Sequence, residues 1–415
     1  MRLPPSPVPG RPWRVVLCLL AFSCIYVGLI FSPVLLSIGL IGIPFVGVLD
    51  PQHIINPQWV KNLGPLLRDP FSWALAGFYL LIVVGWWQTY DWGYYLERLR
   101  IKSVLMAAPI GWVGLPRLRR KEIQAYFSGC VLLMLALALL ILANYALNWE
   151  TINQAIREGQ SVPVPRNHIR FSLLVAITSL IALDLGRQKA WKRPRWWLFI
   201  AAFLFAFQHL LAVRSGLALA YGSLLVYGLA YGFSRGRWRP LITGGIGLLL
   251  TASIAVSFVP SLRAKLDYFR YELWRKEQGL DSTQYSDAGR WTSIQVGWQL
   301  WREQPIFGVG PGNLLAATDQ RYQELFGLEK GKRPHNQFVS TLAGSGLLGG
   351  LIFCTSAGIL VFGSKRRRRN LLFVSISAVL FGSMLVENTL ETSTGVALFT
   401  YFVLLFRPGQ PLLKS

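Results

Sequence analysis

His335 and Asn336 stand at the mouth of a long apolar run, in PHNQFVSTLAGSGLLG from Pro334 to Gly349. An imidazole titrates near neutral pH and can accept a proton there. Set at a membrane boundary beside the one long polar segment of the chain, it suits chemistry on a lipid-borne substrate. Asn336 can orient the ring or a substrate hydroxyl. The chain has four histidines, and no His, Asp or Glu recurs at ligand spacing around His335, so the sequence predicts no metal centre. Gly344, Gly346, Gly349 and Gly350 allow close approach of another helix, or mark ordinary packing between membrane helices.

Two arginines come next. Arg214 lies in HLLAVRSGLALAY, in a tight connection between two apolar runs. A guanidinium close to hydrocarbon is costly and needs a partner, and no acidic residue is near it in sequence. The partner is either a distant carboxylate or an anionic ligand, since guanidinium binds phosphate bidentately. A plainer alternative is an arginine that marks a turn or snorkels to headgroups. Arg290, in SDAGRWTS, is either a second anion ligand or a surface arginine paired with Asp287. Arg170, in PRNHIRFSLL, is a weaker candidate, and His168 beside it reads as an interfacial histidine. His209 lies one turn before Arg214 and either lines the same cavity or is a buried, hydrogen-bonded ring. Glu387 and Glu391 flank NTL and either meet a sugar or an arginine, or are simply exposed. FGVGPGN (Phe307 to Asn313) has the glycines of a phosphate loop without the strand–turn–helix context, so it reads as a turn that shapes the vestibule.

The elements that must position these groups are helices in a membrane. The 415-residue chain is 53% hydrophobic and 15% charged, which excludes an ordinary soluble enzyme. Its net charge of +23 lies in short basic clusters between apolar runs. That is a topology signal and not a nucleic-acid surface. Spans are predicted at 13–31, 34–49, 71–89, 99–116, 123–147, 169–186, 196–213, 215–233, 241–259, 336–362, 371–389 and 395–408. Of these, 34–49, 99–116 and 395–408 are short enough to re-enter instead of crossing. The N-terminal span, 13–31, is read as an uncleaved span, not a signal peptide. With the N-terminus in the cytoplasm, the clusters at 117–121, 187–195, 235–239 and 365–369 all fall inside, and Arg214, Arg290 and His335 face out.

Three regions follow: helices at 1–259, a polar loop at 260–334 that holds 9 of the 19 acidic residues, and helices at 335–415. The loop is long enough to carry structure of its own. Asp287 is expected to cap a helix starting near Arg290, with Trp291, Ile294, Trp298 and Trp301 along one face. That face either lies in the membrane interface or packs on the helical domain. Cys18, Cys24, Cys130 and Cys354 sit in apolar runs and read as small buried hydrophobes without disulfides.

His335-Asn336, nine residues and then Gly346-Leu347-Leu348-Gly349 are similar to the His-Asn-x9-Gly-x-x-Gly motif of O-antigen ligases. An arginine in a helix hairpin, a long loop with a second arginine and then the histidine motif also resemble the superfamily of O-antigen ligases and polymerases. Segment 289–313 looks like that family's loop closing in Pro-x-x-Gly-x-Gly. The likeness covers about 196–362; the first third is recognisable only by hydropathy.

The resemblance implies an all-α, polytopic glycosyltransferase of the GT-C type with about twelve transmembrane helices and one long periplasmic loop. It would sit in a bacterial inner membrane, among membrane lipids, and work on the periplasmic face. Its donor would be a glycan on undecaprenyl pyrophosphate and its acceptor lipid A-core or, in a polymerase, a growing glycan. No cofactor, metal or nucleic acid is implied. Arg214 and Arg290 would hold the pyrophosphate, with Asn336, Arg170 and His209 as further substrate contacts, and His335 would act on the acceptor hydroxyl. A transporter of charged lipids is the reading from another class. It calls for ionisable residues at the bilayer midplane, whereas these lie towards one face.

Overall fold

A computed structural model describes residues 12–236, 239–277 and 286–407, and among these the chain is almost wholly helical. Helix α1 (Pro12–Ile30) turns at Ser32 into α2 (Pro33–Val48). Ser32 caps α2 by accepting the Leu35 N–H, and a proline opens the helix, both ordinary start signals. Two-residue strands β1 (Leu49–Asp50) and β2 (Ile54–Ile55) pair antiparallel before α3 (Pro57–Leu67) and α4 (Pro70–Val84). The segment expected at 99–116 as one span holds the end of α5 (Trp92–Lys102) and α6 (Val104–Trp112), which meet at Ser103 in right-handed helical geometry (φ −54°, ψ −27°). Arg98 and Lys102 are buried on Glu391, Lys102 Nζ at 2.5 Å and Arg98 on its carbonyl, so α5 is held by charge while α6 is apolar. Burial opposes ionisation of Glu391, but Lys102, Gln337 and Arg333 outweigh it and bring the carboxyl down to about 2.

Helix α7 (Arg120–Leu147) is followed by the short α8 (Trp149–Arg157) and by α9 (His168–Arg187), which is buried along nearly its whole length. Around α9 pack α10 (Pro194–Leu211), α11 (Arg214–Arg235) and others yet to come; α12 (Arg239–Phe258) packs on α11. Polar clamps fix α10 to α9. Ser172 and Gln208 exchange two hydrogen bonds of 2.8 and 2.7 Å, and Ser179 donates to the Ala201 carbonyl. In lipid such bonds, not hydrophobic collapse, give helix pairs their register.

The polar loop folds as α13 (Pro260–Glu277), α14 (Ser286–Glu303) and α15 (Leu314–Phe326). Helix α14 starts a turn earlier than the sequence suggested, so Asp287 lies within its first turn; its side chain is outside the described residues. Ser293, Val296 and Leu300 are buried, whereas Trp291 and Trp298 are exposed. The opposite face therefore packs on the bundle, and Trp291 and Trp298 point away from it, against the reading in which the Trp face packs on the helical domain. The chain ends in α16 (Gln337–Phe362), the four-residue α17 (Lys365–Arg368), α18 (Leu371–Val386) and α19 (Ser393–Leu405).

Among the described residues, seven helices are long and apolar enough to cross a membrane: α1, α4 with its 3-10 extension to Gln88, α7, α9, α10, α11 and α16. The shorter α2, α18 and α19 are apolar as well. This is a multi-pass helical membrane protein. Helix ends separate into two sets. At one end Arg14 donates to the carbonyls of Val46 (2.6 Å) and Gly114 (3.2 Å). Arg407 there pairs with Asp69 at 3.3 Å. At the other end gather the starts of α9, α11 and α16 and the ends of α10 and α18. All four cysteines are free; Cys18 and Cys130 are buried, but Cys354 is exposed on the bundle's outer surface, unlike the buried position expected for it.

Of the glycines after His335, Gly346 meets a loop, whereas Gly349 faces Leu81 of α4. At Gly346 the backbone of α16 leaves helical geometry (φ 63°, ψ −164°). Into that break the 305–309 segment binds: Leu347 N–H donates to Pro305 O (2.8 Å) and Val309 N–H to Ala343 O (2.9 Å). A Cβ on Gly346 would lie 2.1 Å from the Ile306 carbonyl oxygen. Asn313 anchors the far end of the loop, accepting from Tyr90 N–H and donating to Gln88 O. FGVGPGN is thus a wedge between the end of α4 and the top of α16.

Candidate active site

At the end of the bundle where Arg214 lies, a cavity of about 260 Å³ opens between the start of α9, the α10–α11 turn, residues 156–162, α13 and α14. Arg214, Arg290, Lys265 and His168 bring their side chains to its wall. Arg214 reaches it because α10 ends at Leu211 and α11 begins at Arg214. Ala212 makes the turn in the left-handed region (φ 50°). The Arg214 guanidinium lies over the Phe269 ring at 5.0 Å, a cation–π contact that holds its plane. The start of α11 has no side-chain cap, and its dipole adds positive potential at the same wall. Lys265, from α13, donates to the Gly159 and Gln160 carbonyls, each at 3.2 Å. Nothing in its local sequence, AKLDYF, marks Lys265 in advance; it is chosen by the packing of α13 on α8.

Arg290 and His335 are joined by one residue. Ser293 is one turn beyond Arg290 on α14, and its Oγ donates to the Arg290 carbonyl at 2.7 Å. The same oxygen lies 3.1 Å from His335 Nδ1 and 3.1 Å from the His335 backbone nitrogen. A hydroxyl has one proton. With that proton on the Arg290 carbonyl, Oγ is the acceptor of both His335 groups, so Nδ1 carries the ring proton and Nε2 keeps its lone pair. Burial pushes the His335 pKa down; Glu387 pulls it up, and Arg290, Lys332 and Arg333 lower it further, leaving it below its ordinary value. His335 does not line the cavity itself but sits beside it, across Ser293 and Arg290.

The remaining candidates are placed as follows. Asn336 caps α16, accepting from Phe338 and Val339 N–H, and donates to the Leu385 carbonyl, which ties the histidine to the end of α18. Arg170 is buried and donates to Thr389 Oγ1 at 3.3 Å. His209 is buried with Nε2 2.7 Å from the Tyr221 hydroxyl and Nδ1 3.1 Å from the Ala206 carbonyl oxygen; the cavity wall does not include it. Glu387 pairs with Arg290 at 3.0 Å. Ser293 had a signal in the sequence, its spacing of three from Arg290 on a helix, but that spacing alone does not tell that the hydroxyl meets His335.

A multi-pass helical protein thus carries a cationic cavity beside an oriented histidine. Residues 209–354 match the family model of the O-antigen ligases. That stretch is similar to the O-antigen ligase and polymerase superfamily, whose proteins are glycosyltransferase-like enzymes acting on lipid-linked glycans. The matched stretch runs from α10 to α16 and holds Arg214, Arg290 and His335. No curated protein matches this chain.

Proposed function

We propose that this protein is an O-antigen ligase-like glycosyltransferase of the bacterial inner membrane. It moves a finished glycan from undecaprenyl pyrophosphate to a hydroxyl of lipid A-core on the periplasmic face, across about twelve spans. Arg214, Arg290 and Lys265 take the diphosphate in the cavity. The acceptor oxygen attacks the anomeric carbon, and the bond from that carbon to the diphosphate oxygen breaks with its electron pair passing to the phosphate. His335 Nε2 receives the proton of the acceptor hydroxyl. Charge develops on the leaving diphosphate, and fixed cations in a partly dehydrated site stabilise it most where water is excluded. A base placed opposite the leaving group gives inversion at the anomeric carbon.

The observation that carries this reading is the single turn of α14 that supports both halves of the chemistry. Arg290 reaches the cavity, and Ser293 sets the ring of His335. The test is the glycan profile of the native host with the gene deleted. Long polymer stranded on the carrier with bare lipid A-core is the expected result. Single repeat units, on the carrier or capped onto the core, would identify a polymerase instead. Unchanged pools would overturn both.

A further inference from the structure

Glu387 ends α18 with its carboxylate 3.0 Å from Arg290 Nη2, although Arg290 lines the cavity and Glu387 does not. The backbone at Glu387 is fixed. Its N–H donates to Ser383 O (2.9 Å), its carbonyl accepts from Thr389 N–H (3.0 Å), and Ser383 and Thr389 share a hydroxyl contact of 2.8 Å. These contacts hold the backbone and leave the side chain to its pairing with Arg290. Two residues earlier, the Leu385 carbonyl is held by Asn336, so this corner of α18 is tied to the residue next to His335. The side chains of Arg290 and Glu387 are 28% and 16% exposed, so the pair is open enough to be exchanged.

Resting on the donor site described above, we propose that Glu387 is a built-in competitor for the diphosphate. It occupies Arg290 while the cavity is empty, gives it up when the donor arrives, and then serves as counter-charge to His335 as the ring takes the acceptor proton. Two arguments support the exchange. A diphosphate brings more negative charge and more acceptor oxygens than one carboxylate, so it wins Arg290 at a modest cost in affinity. A released carboxylate beside an imidazole favours the imidazolium, which appears only as the reaction proceeds. Glu387 is thus a positioning residue. It costs binding and returns that cost in the rate.

The experiment measures equilibrium binding of inorganic pyrophosphate to the purified full chain in detergent, for the natural protein and for Glu387→Gln. Transfer kinetics with a diphosphate-linked glycan are measured on the same preparations. A partly exposed pair is worth up to about 1 kcal/mol, so Glu387→Gln is expected to bind pyrophosphate about three- to fivefold more tightly. Its KM for donor should fall while its kcat also falls. A purely structural role would leave binding unchanged or weaken it. Glu387→Asp, one methylene shorter, keeps the charge but loosens the pair, and is expected to tighten binding to a smaller degree; it serves if the Gln variant does not fold. Unchanged or weaker binding in the variants, with the natural protein binding well, overturns the competitor. If the natural protein does not bind pyrophosphate at all, the donor site falls and the competitor with it.

Discussion

Ser293 Oγ is 3.1 Å from His335 Nδ1 and gives its own proton to the Arg290 carbonyl at 2.7 Å. That relation fixes the tautomer of the ring, and its removal is the first test. Ser293→Ala leaves Nδ1–H without this acceptor, so the ring loses its single orientation. We expect kcat to fall about tenfold or more while pyrophosphate binding holds, measured on one preparation. An equal loss in both would point to general distortion of α14.

The pH dependence follows from the groups around the ring. Burial first, then Arg290, Lys332 and Arg333, hold the His335 pKa below its ordinary value against the pull of Glu387. The base form therefore persists as pH falls, and the acid limb of kcat/KM, which reports the free enzyme, is expected below the ordinary histidine value near 6.5. Lys332→Gln removes a lowering charge and should move the limb to higher pH. Glu387→Gln removes the raising charge and should move it lower. A limb at or above 6.5 in the natural protein would contradict the burial argument.

Arg214→Ala and Lys265→Ala each remove one cation from the cavity wall. Both variants should weaken pyrophosphate binding and lower the transfer rate about tenfold or more, because a charge-assisted hydrogen bond to phosphate in a sheltered site contributes roughly 1.5–3 kcal/mol. Arg214→Lys should recover part of the loss and not all, since an ammonium cannot bind two oxygens in a fork or keep the same stacking on Phe269. Full binding in the Lys265 variant would remove that residue from the site.

Gly346 tests the wedge. An alanine there must adopt φ 63° and ψ −164° with its Cβ 2.1 Å from the Ile306 carbonyl oxygen. Both the backbone conformation and the clash disfavour it, and the cost should exceed about 1–3 kcal/mol. The expected outcome of Gly346→Ala is a lower melting temperature in detergent and loss of transfer. Gly358, whose added Cβ would meet nothing within 4 Å, is the control and should tolerate alanine at either readout.

Much of this was legible in the residues. Runs of apolar sequence mark the helices because a bilayer admits few other backbones. The spacing of His335, Arg290 and Arg214 carried the family resemblance, which the match over residues 209–354 supports. What was not legible depends on contacts made far apart in the chain. The burial of Lys102 depends on its contact with Glu391, nearly three hundred residues later. The glycines of GLLG read as helix-packing positions, yet Gly346 receives a loop, since only the folded chain shows what approaches it. Lys265 and Glu387 join the site through the packing of α13 and α18, and no local pattern announces either.

The most direct measurement is glycan transfer by the purified protein in vesicles, with a diphosphate-linked donor and lipid A-core acceptor, comparing the natural protein with His335→Ala. Donor binding is measured in the same vesicles. The account predicts donor binding within about twofold of the natural protein and a rate lower by a factor of about a hundred or more. Transfer at the natural rate in His335→Ala would contradict it.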